Sequence, residues 1–212
     1  MKMEYFKLAW FDMAAFIVLV IGLIHGRKRG MSNELLDVFK WLLVVVVGAL
    51  YYEWPGNLIM QYAKLSRFHA YLLSYGLIAF VIHTVFTGIK AKVGGKLVGS
   101  DIFGRAEFYL GMIAGMTRYA CMLIMAMAIL NARYVSPAMV DAEMKKQEAA
   151  LGSSFFMTYS KFQFDVLYKS VVGQFVREKL SGQLIEPVTY VPTAGAPEKA
   201  WKGETLEDRM KK

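Results

Sequence analysis

Apolar residues fill the first two-thirds of the chain in four blocks, and the charges collect between them. The first block runs from Leu8 to His25 and is broken only by Asp12. The second runs from Leu36 to Tyr52, with Asp37 and Lys40 near its start. The third, Ala70 to Ile89, carries no full charge and contains His83; the fourth, Phe108 to Asn131, contains Arg118. A helix needs about 20 residues to cross the hydrocarbon core of a bilayer. Only the third block reaches that length uncharged, whereas the uncharged cores of the first two, 13–24 and 41–52, suit short or tilted helices. A soluble amphipathic helix shows a broad polar face, which these blocks lack. The pattern predicts an all-α, four-helix integral membrane bundle over residues 8–132.

The periodicity changes after Asn131. In "SPAM", Ser136 is placed to N-cap a helix with Pro137 at its first position, and Gly152 is placed to end it. The stretch "TYSKFQFDVLYKSVVGQFVREKL" sets Phe164, Leu167, Val171 and Phe175 at helical spacing. Lys161, Asp165, Lys169, Arg177 and Glu178 lie on the opposite face. Such a helix packs on a partner or lies on the bilayer surface. Residues 133–185 therefore read as a helical extension, with 154–180 as the segment that would engage a periplasmic or membrane protein. From 186 to 212, Pro187, Pro192 and Pro197 among charged residues predict a flexible tail.

The net charge is +8, which by itself would suit nucleic acid, but its placement points elsewhere. Residues 1–133 hold 14 Lys/Arg against 7 Asp/Glu, whereas 134–212 hold 11 against 10. The excess sits in short loops beside apolar blocks, which is how membrane proteins encode orientation. Lys2 and Lys7 face Glu4 before the first block; Arg27, Lys28 and Arg29 follow it, with no signal-peptide cleavage site. Lys90, Lys92, Lys96 and Arg105 outweigh Asp101 and Glu107 between the third and fourth. Both basic loops should be cytoplasmic, leaving both termini outside a bacterial inner membrane. Trp10, Trp41 and Trp54 fall near the expected span edges, as interfacial aromatics do. Cys121 is the only cysteine, so no internal disulfide can form.

"GLIHGRKRGMSNE" has three basic residues between glycines, yet it follows an apolar helix and lacks the Lys-Ser/Thr ending of a phosphate loop. It reads as a tight turn between antiparallel membrane helices. Gly22, Gly26 and Gly30 recur every fourth residue, and Gly111 and Gly115 repeat the spacing. In lipid such spacing lets helix backbones approach closely. Asp12, Arg29, Glu34, Asp37, Glu107 and Arg118 lie in or beside spans, where an unpaired charge is costly, so they form a candidate structural charge cluster with Arg118 facing Glu34 or Asp37. His83 has no second ligand at metal spacing, and Ser66, Ser74 and Thr84 have no evident base. Neither a metal, a cofactor nor an enzymatic activity is expected. Beyond the lipid bilayer and the partner of 154–180, self-association into a homo-oligomer is the remaining partnership considered, and nucleic acid is not one.

These residues resemble the CvpA family of colicin V production proteins. Asp12 before an apolar helix, then Arg29–Gly30 and Glu34, match the family's opening pattern. "EFYLGMIAGMTRY" supplies Glu107, Gly111, Gly115 and Arg118 of its second pattern, with Glu107, Phe108 and Tyr119 departing from the usual Asp, Arg and Gly. The resemblance covers residues 9 to 132. It implies a four-helix inner-membrane protein without established catalysis, linked to colicin V production or secretion and to envelope integrity. The leading expectation is a helix-packed membrane scaffold; the alternative is a small oligomeric transporter or channel with an intramembrane charged path. Membrane-impermeant labels applied to intact cells should reach both termini and spare the Arg27 loop. Labelling of one terminus alone would mean an odd number of spans.

Overall fold

Helix α1 (Trp10–Arg29) starts with Asp12 folded back on its own first turn, where the carboxylate accepts from the Ala9 N–H at 2.9 Å. Twenty residues at about 1.5 Å each span about 30 Å, the thickness of the hydrocarbon layer. Gly30 alone separates α1 from α2 (Met31–Tyr51); its φ of 75° lies in the left-handed region open to glycine. The computed structural model describes residues 9–98, 104–152 and 157–188. Among them the remaining main helices are α3 (Glu53–Ala63), α4 (Arg67–Val98), α5 (Glu107–Asn131), α6 (Pro137–Leu151), α7 (Tyr159–Phe164) and α8 (Val171–Lys179).

Helix α1 packs chiefly on α5, antiparallel to it, and the glycines are the reason. A methyl group on Gly26 would run into the Gly111 carbonyl oxygen and stand 2.8 Å from the Cα of Gly115. One on Gly111 would stand 2.5 Å from the Gly26 carbonyl oxygen, and one on Gly115 would meet the carbonyl of Gly22. The two backbones are in direct contact. Helix α2 lies between α5 and α4, where Gly48 receives the ring of Tyr75. One end of the bundle therefore gathers the end of α1, the start of α2 and the start of α5. The far end gathers Trp10, α3, the start of α4 and the C-terminal helices.

The surface is inverted relative to a water-soluble bundle. Met13, Phe16, Ile17, Val20, Ile21 and Ile24 of α1 point outward, as do Phe80, Val81 and Val85 of α4, while Asp12, Ser32, Glu34, Asp37, Ser74 and Arg118 are buried. A hydrocarbon solvent rewards this arrangement, because side chains such as Leu lose nothing facing it whereas polar groups must find partners inside. Among the described residues, three helices (α1, α4 and α5) are long and apolar enough to cross a membrane. A fourth span results if α2 and α3, bent by 59°, count as one.

Helix α3 occupies part of what the sequence presents as a loop from Tyr51 to His69. Pro55 stands third in it, inside the first turn, where a missing N–H removes no helical hydrogen bond. Lys64, at φ 51°, ends the helix and turns the chain back into α4. Gly56 lets α3 press on Tyr71, whose ring would lie 2.6 Å from an added methyl. Trp41, expected at a span edge, sits halfway along α2 instead, because that helix begins ten residues earlier, at Met31.

Helix α6 starts and stops where the sequence indicates: the Ser136 side chain accepts from the Met139 N–H at 3.3 Å, and Gly152 closes the helix at φ 64°. The continuous amphipathic helix expected through 158–180 is broken. A π-helical turn (Asp165–Lys169) follows α7, the backbone is extended at Ser170, and the Ser170 hydroxyl caps α8 by accepting from the Gly173 N–H at 2.8 Å. The break lets Val166, Leu167 and Val176 all turn inward onto Tyr52, Tyr71, Tyr75, Met127 and Ala128. The expected flexible tail is likewise anchored at its start: the Val188 N–H donates to the Ala132 carbonyl and the Tyr134 N–H to the Val188 carbonyl. Residues 189–212 of that tail lie outside the described residues, as do 154–156 of the segment expected to engage a partner.

Gly26→Ala should lower resistance to unfolding in detergent micelles by about 1–3 kcal/mol, the usual range for overpacking. Gly88→Ala, which would meet open space, should leave it unchanged or slightly raised. Circular dichroism along a denaturing-detergent series measures both.

Candidate functional site

Glu34 and Asp37 are three residues apart on α2 and so share one face of it. That face meets α5 at Arg118. The Arg118 Nη1 lies 2.8 Å from Glu34 Oε2 and 3.7 Å from Asp37 Oδ2. Arg29, from the last turn of α1, approaches the same carboxylates at 3.4 Å and 3.5 Å. Lys40 reaches Asp37 at 3.1 Å from one turn along α2, and Lys90 reaches it at 2.7 Å from α4. Glu34 is fully buried and Arg118 is 6% exposed, while Arg29 and Lys90 extend toward the periphery. Four cations thus surround two carboxylates and join four helices.

The structure brings together Arg29, Glu34, Asp37 and Arg118. It does not bring Asp12 or Glu107 to them, and both have other partners. Glu107, at the start of α5, accepts from the Ser32 N–H at 2.9 Å and the Ser32 hydroxyl at 3.0 Å, so it caps α2 from a neighbouring helix. Asp12 does the same at the far end, accepting from the N–H groups of Val171 at 3.1 Å and Val172 at 2.9 Å in the first turn of α8. The first N–H groups of a helix lack internal partners, and its N-terminus attracts negative charge. Each acid answers both needs. The charges expected to form one cluster are therefore three structures: an ion network and two caps made in trans.

Lys40 and Lys90 were not among the expected cluster. Lys40 was accessible to sequence reasoning through its i, i+3 relation to Asp37; Lys90 lies 53 residues from Asp37 and becomes its neighbour only through the packing of α4 on α2. Ser66, expected to lack a base, has the imidazole Nδ1 of His69 at 2.7 Å. This exposed contact spans three residues at the start of α4, the spacing at which side chains meet near a helix N-terminus. His83 is exposed on α4 and lines a shallow cleft with Lys40, Trp41 and Phe80. No group of three or more potential metal ligands occurs among the described residues. Gly30 has a second duty beside the turn, since a side chain there would stand 2.5 Å from a carboxylate oxygen of Glu107.

Apolar helices that present hydrocarbon side chains outward and neutralise their charges inside define an integral membrane protein. The family model for colicin V production protein matches residues 11–161, and the chain belongs to that family. No curated protein and no solved structure matches it significantly. The matched region runs beyond the bundle through α6 and into α7, so the family pattern includes the first part of the extension.

Arg118→Leu should lower stability in micelles by about 3 kcal/mol, the lower end for breaking a buried pair, because Arg29 still reaches Glu34. Pairing it with Glu34→Leu should recover part of that loss. A double variant no more stable than the single one would mean that Glu34 is not held by Arg118.

Proposed function

We propose that this protein is a non-enzymatic scaffold of the bacterial inner membrane. It would support colicin V production, a related secretion process or envelope homeostasis, with both termini outside. Family membership supports the broad process. The observation that carries the scaffold reading is the union of bundle and extension. Asp12 of α1 holds the first turn of α8, the Asn131 amide donates to the Ile185 carbonyl at 2.9 Å, and one apolar core joins Tyr52 and Met127 to Leu167 and Ile185. A platform built this way moves as one piece with the membrane helices, which is what displaying a surface to a partner requires. Tyr159 and Phe175 remain exposed on it.

The transport reading rests on a different feature. The ion network opens on a cleft of about 300 Å³ between α2 and α4, lined by Asp37, Lys40, Thr87 and Lys90. Four short helices enclose too little volume for a pore, so conduction would need several copies.

Two measurements separate the readings. Purified protein in liposomes should pass no more ion flux than empty liposomes. In cells, Phe175→Asp should reduce family-type complementation of colicin V production and site-specific crosslinking from α8, with membrane insertion unchanged. Flux that disappears in Asp37→Asn would replace the scaffold with a transporter.

A further inference from the structure

The last turn of α1 carries three consecutive cations, and they do not share a fate. Arg29 points inward to Glu34 and Asp37. Arg27 and Lys28 are exposed, have no ion-pair partner among the described residues, and border a groove of about 600 Å³ between the end of α1 and the start of α5. Leu23 and Ile24, one helical turn deeper, line it together with Met112, Phe108 and Tyr109. The groove is thus graded along the bundle axis: two cations at the mouth and hydrocarbon below, with aromatic rings in the lining.

Among the described residues, the carboxylates at this end are already engaged. Glu107 accepts two hydrogen bonds from Ser32, and Glu34 and Asp37 are held by Arg118, Arg29, Lys40 and Lys90. Nothing within the described chain balances Arg27 and Lys28. Their position, on the final turn of a helix about as long as the hydrocarbon layer is thick, is the level of lipid phosphates. Basic pockets between membrane helices at that level take acidic headgroups, and aromatic side chains sit at the same interface.

We propose that the α1–α5 groove is a site for an anionic phospholipid. Its phosphodiester would lie between Arg27 and Lys28, and one acyl chain would run along Leu23, Ile24 and Met112. A cationic pair without an apolar channel would attract any anion. The channel beneath the pair is what selects a lipid.

Native mass spectrometry of the full chain, released from detergent after addition of phosphatidylglycerol or phosphatidylcholine, tests this. The unaltered protein should retain phosphatidylglycerol about tenfold or more tightly than phosphatidylcholine. R27Q/K28Q, a change at exposed positions, should abolish that preference, whereas K64Q/K179Q, which removes the same charge at the far end, should keep it. Ile24→Trp, which adds bulk to the apolar lining and keeps both cations, should weaken lipid retention as well. Equal loss in the two charge variants would overturn the site in favour of general attraction by net charge. Competition by inorganic phosphate at concentrations equal to the lipid's would overturn it in favour of a simple anion site.

Discussion

The rest of the structure depends on the contact between the backbones of α1 and α5. Gly26, Gly111 and Gly115 let two helices meet backbone to backbone, and Gly22 makes room for the side chain of Tyr119. In hydrocarbon, no gain comes from removing apolar surface from water, so close van der Waals contact must supply the association. That contact fixes the axial register of α5 against α1. Register in turn places Glu107 over Ser32, on the far side of the Gly30 turn, and aims Arg118 at the α2 face that carries Glu34 and Asp37. A shift of one turn, about 5.4 Å, would separate each of these pairs.

Electrostatics then completes what packing begins. Ion pairs in water contribute little because solvent competes for both partners. Inside a membrane bundle that competition is gone, and each charge is bound to whatever the fold sets beside it. The chain answers this in two ways. Glu34 and Asp37 are surrounded by guanidinium and ammonium groups, while Asp12 and Glu107 spend their oxygens on peptide N–H groups at the starts of other helices. The second device ties α8 to α1 and α2 to α5, so the acids at opposite ends do the same work.

Much of this is legible along the chain, and some of it is not. The limits of α5 and of α6 follow from apolar length, Ser136, Pro137 and Gly152, all local signals that act within a turn of the residues they govern. The pairing of Glu34 with Arg118 can be anticipated because buried opposite charges on facing helices have few alternatives. Helix α3 is hidden by the Pro55–Gly56 pair, which ordinarily marks a turn; here Pro55 falls in a first turn and Gly56 serves the approach of Tyr71. The break at Ser170 is hidden for the opposite reason. Helical spacing continues across it, and only the demands of the core at Tyr52 and Met127 interrupt the helix.

Sequence alone determined the solvent of the first two-thirds of the chain, since apolar length and charge placement reflect the transfer energy of each residue and require no fold to be read. It likewise set which residues could not remain alone there: the small ones that permit contact and the ionised ones that demand a partner. Tertiary structure decided the partners. Asp12 and Arg118 are alike on the page as isolated charges beside apolar runs, yet one caps a helix 159 residues away and the other closes an ion network 84 residues back. Those distances along the chain collapse only when α8 docks on α1 and α5 comes into register with α2, because pairing energy in a bundle depends on the position of two helices and not on the composition of either.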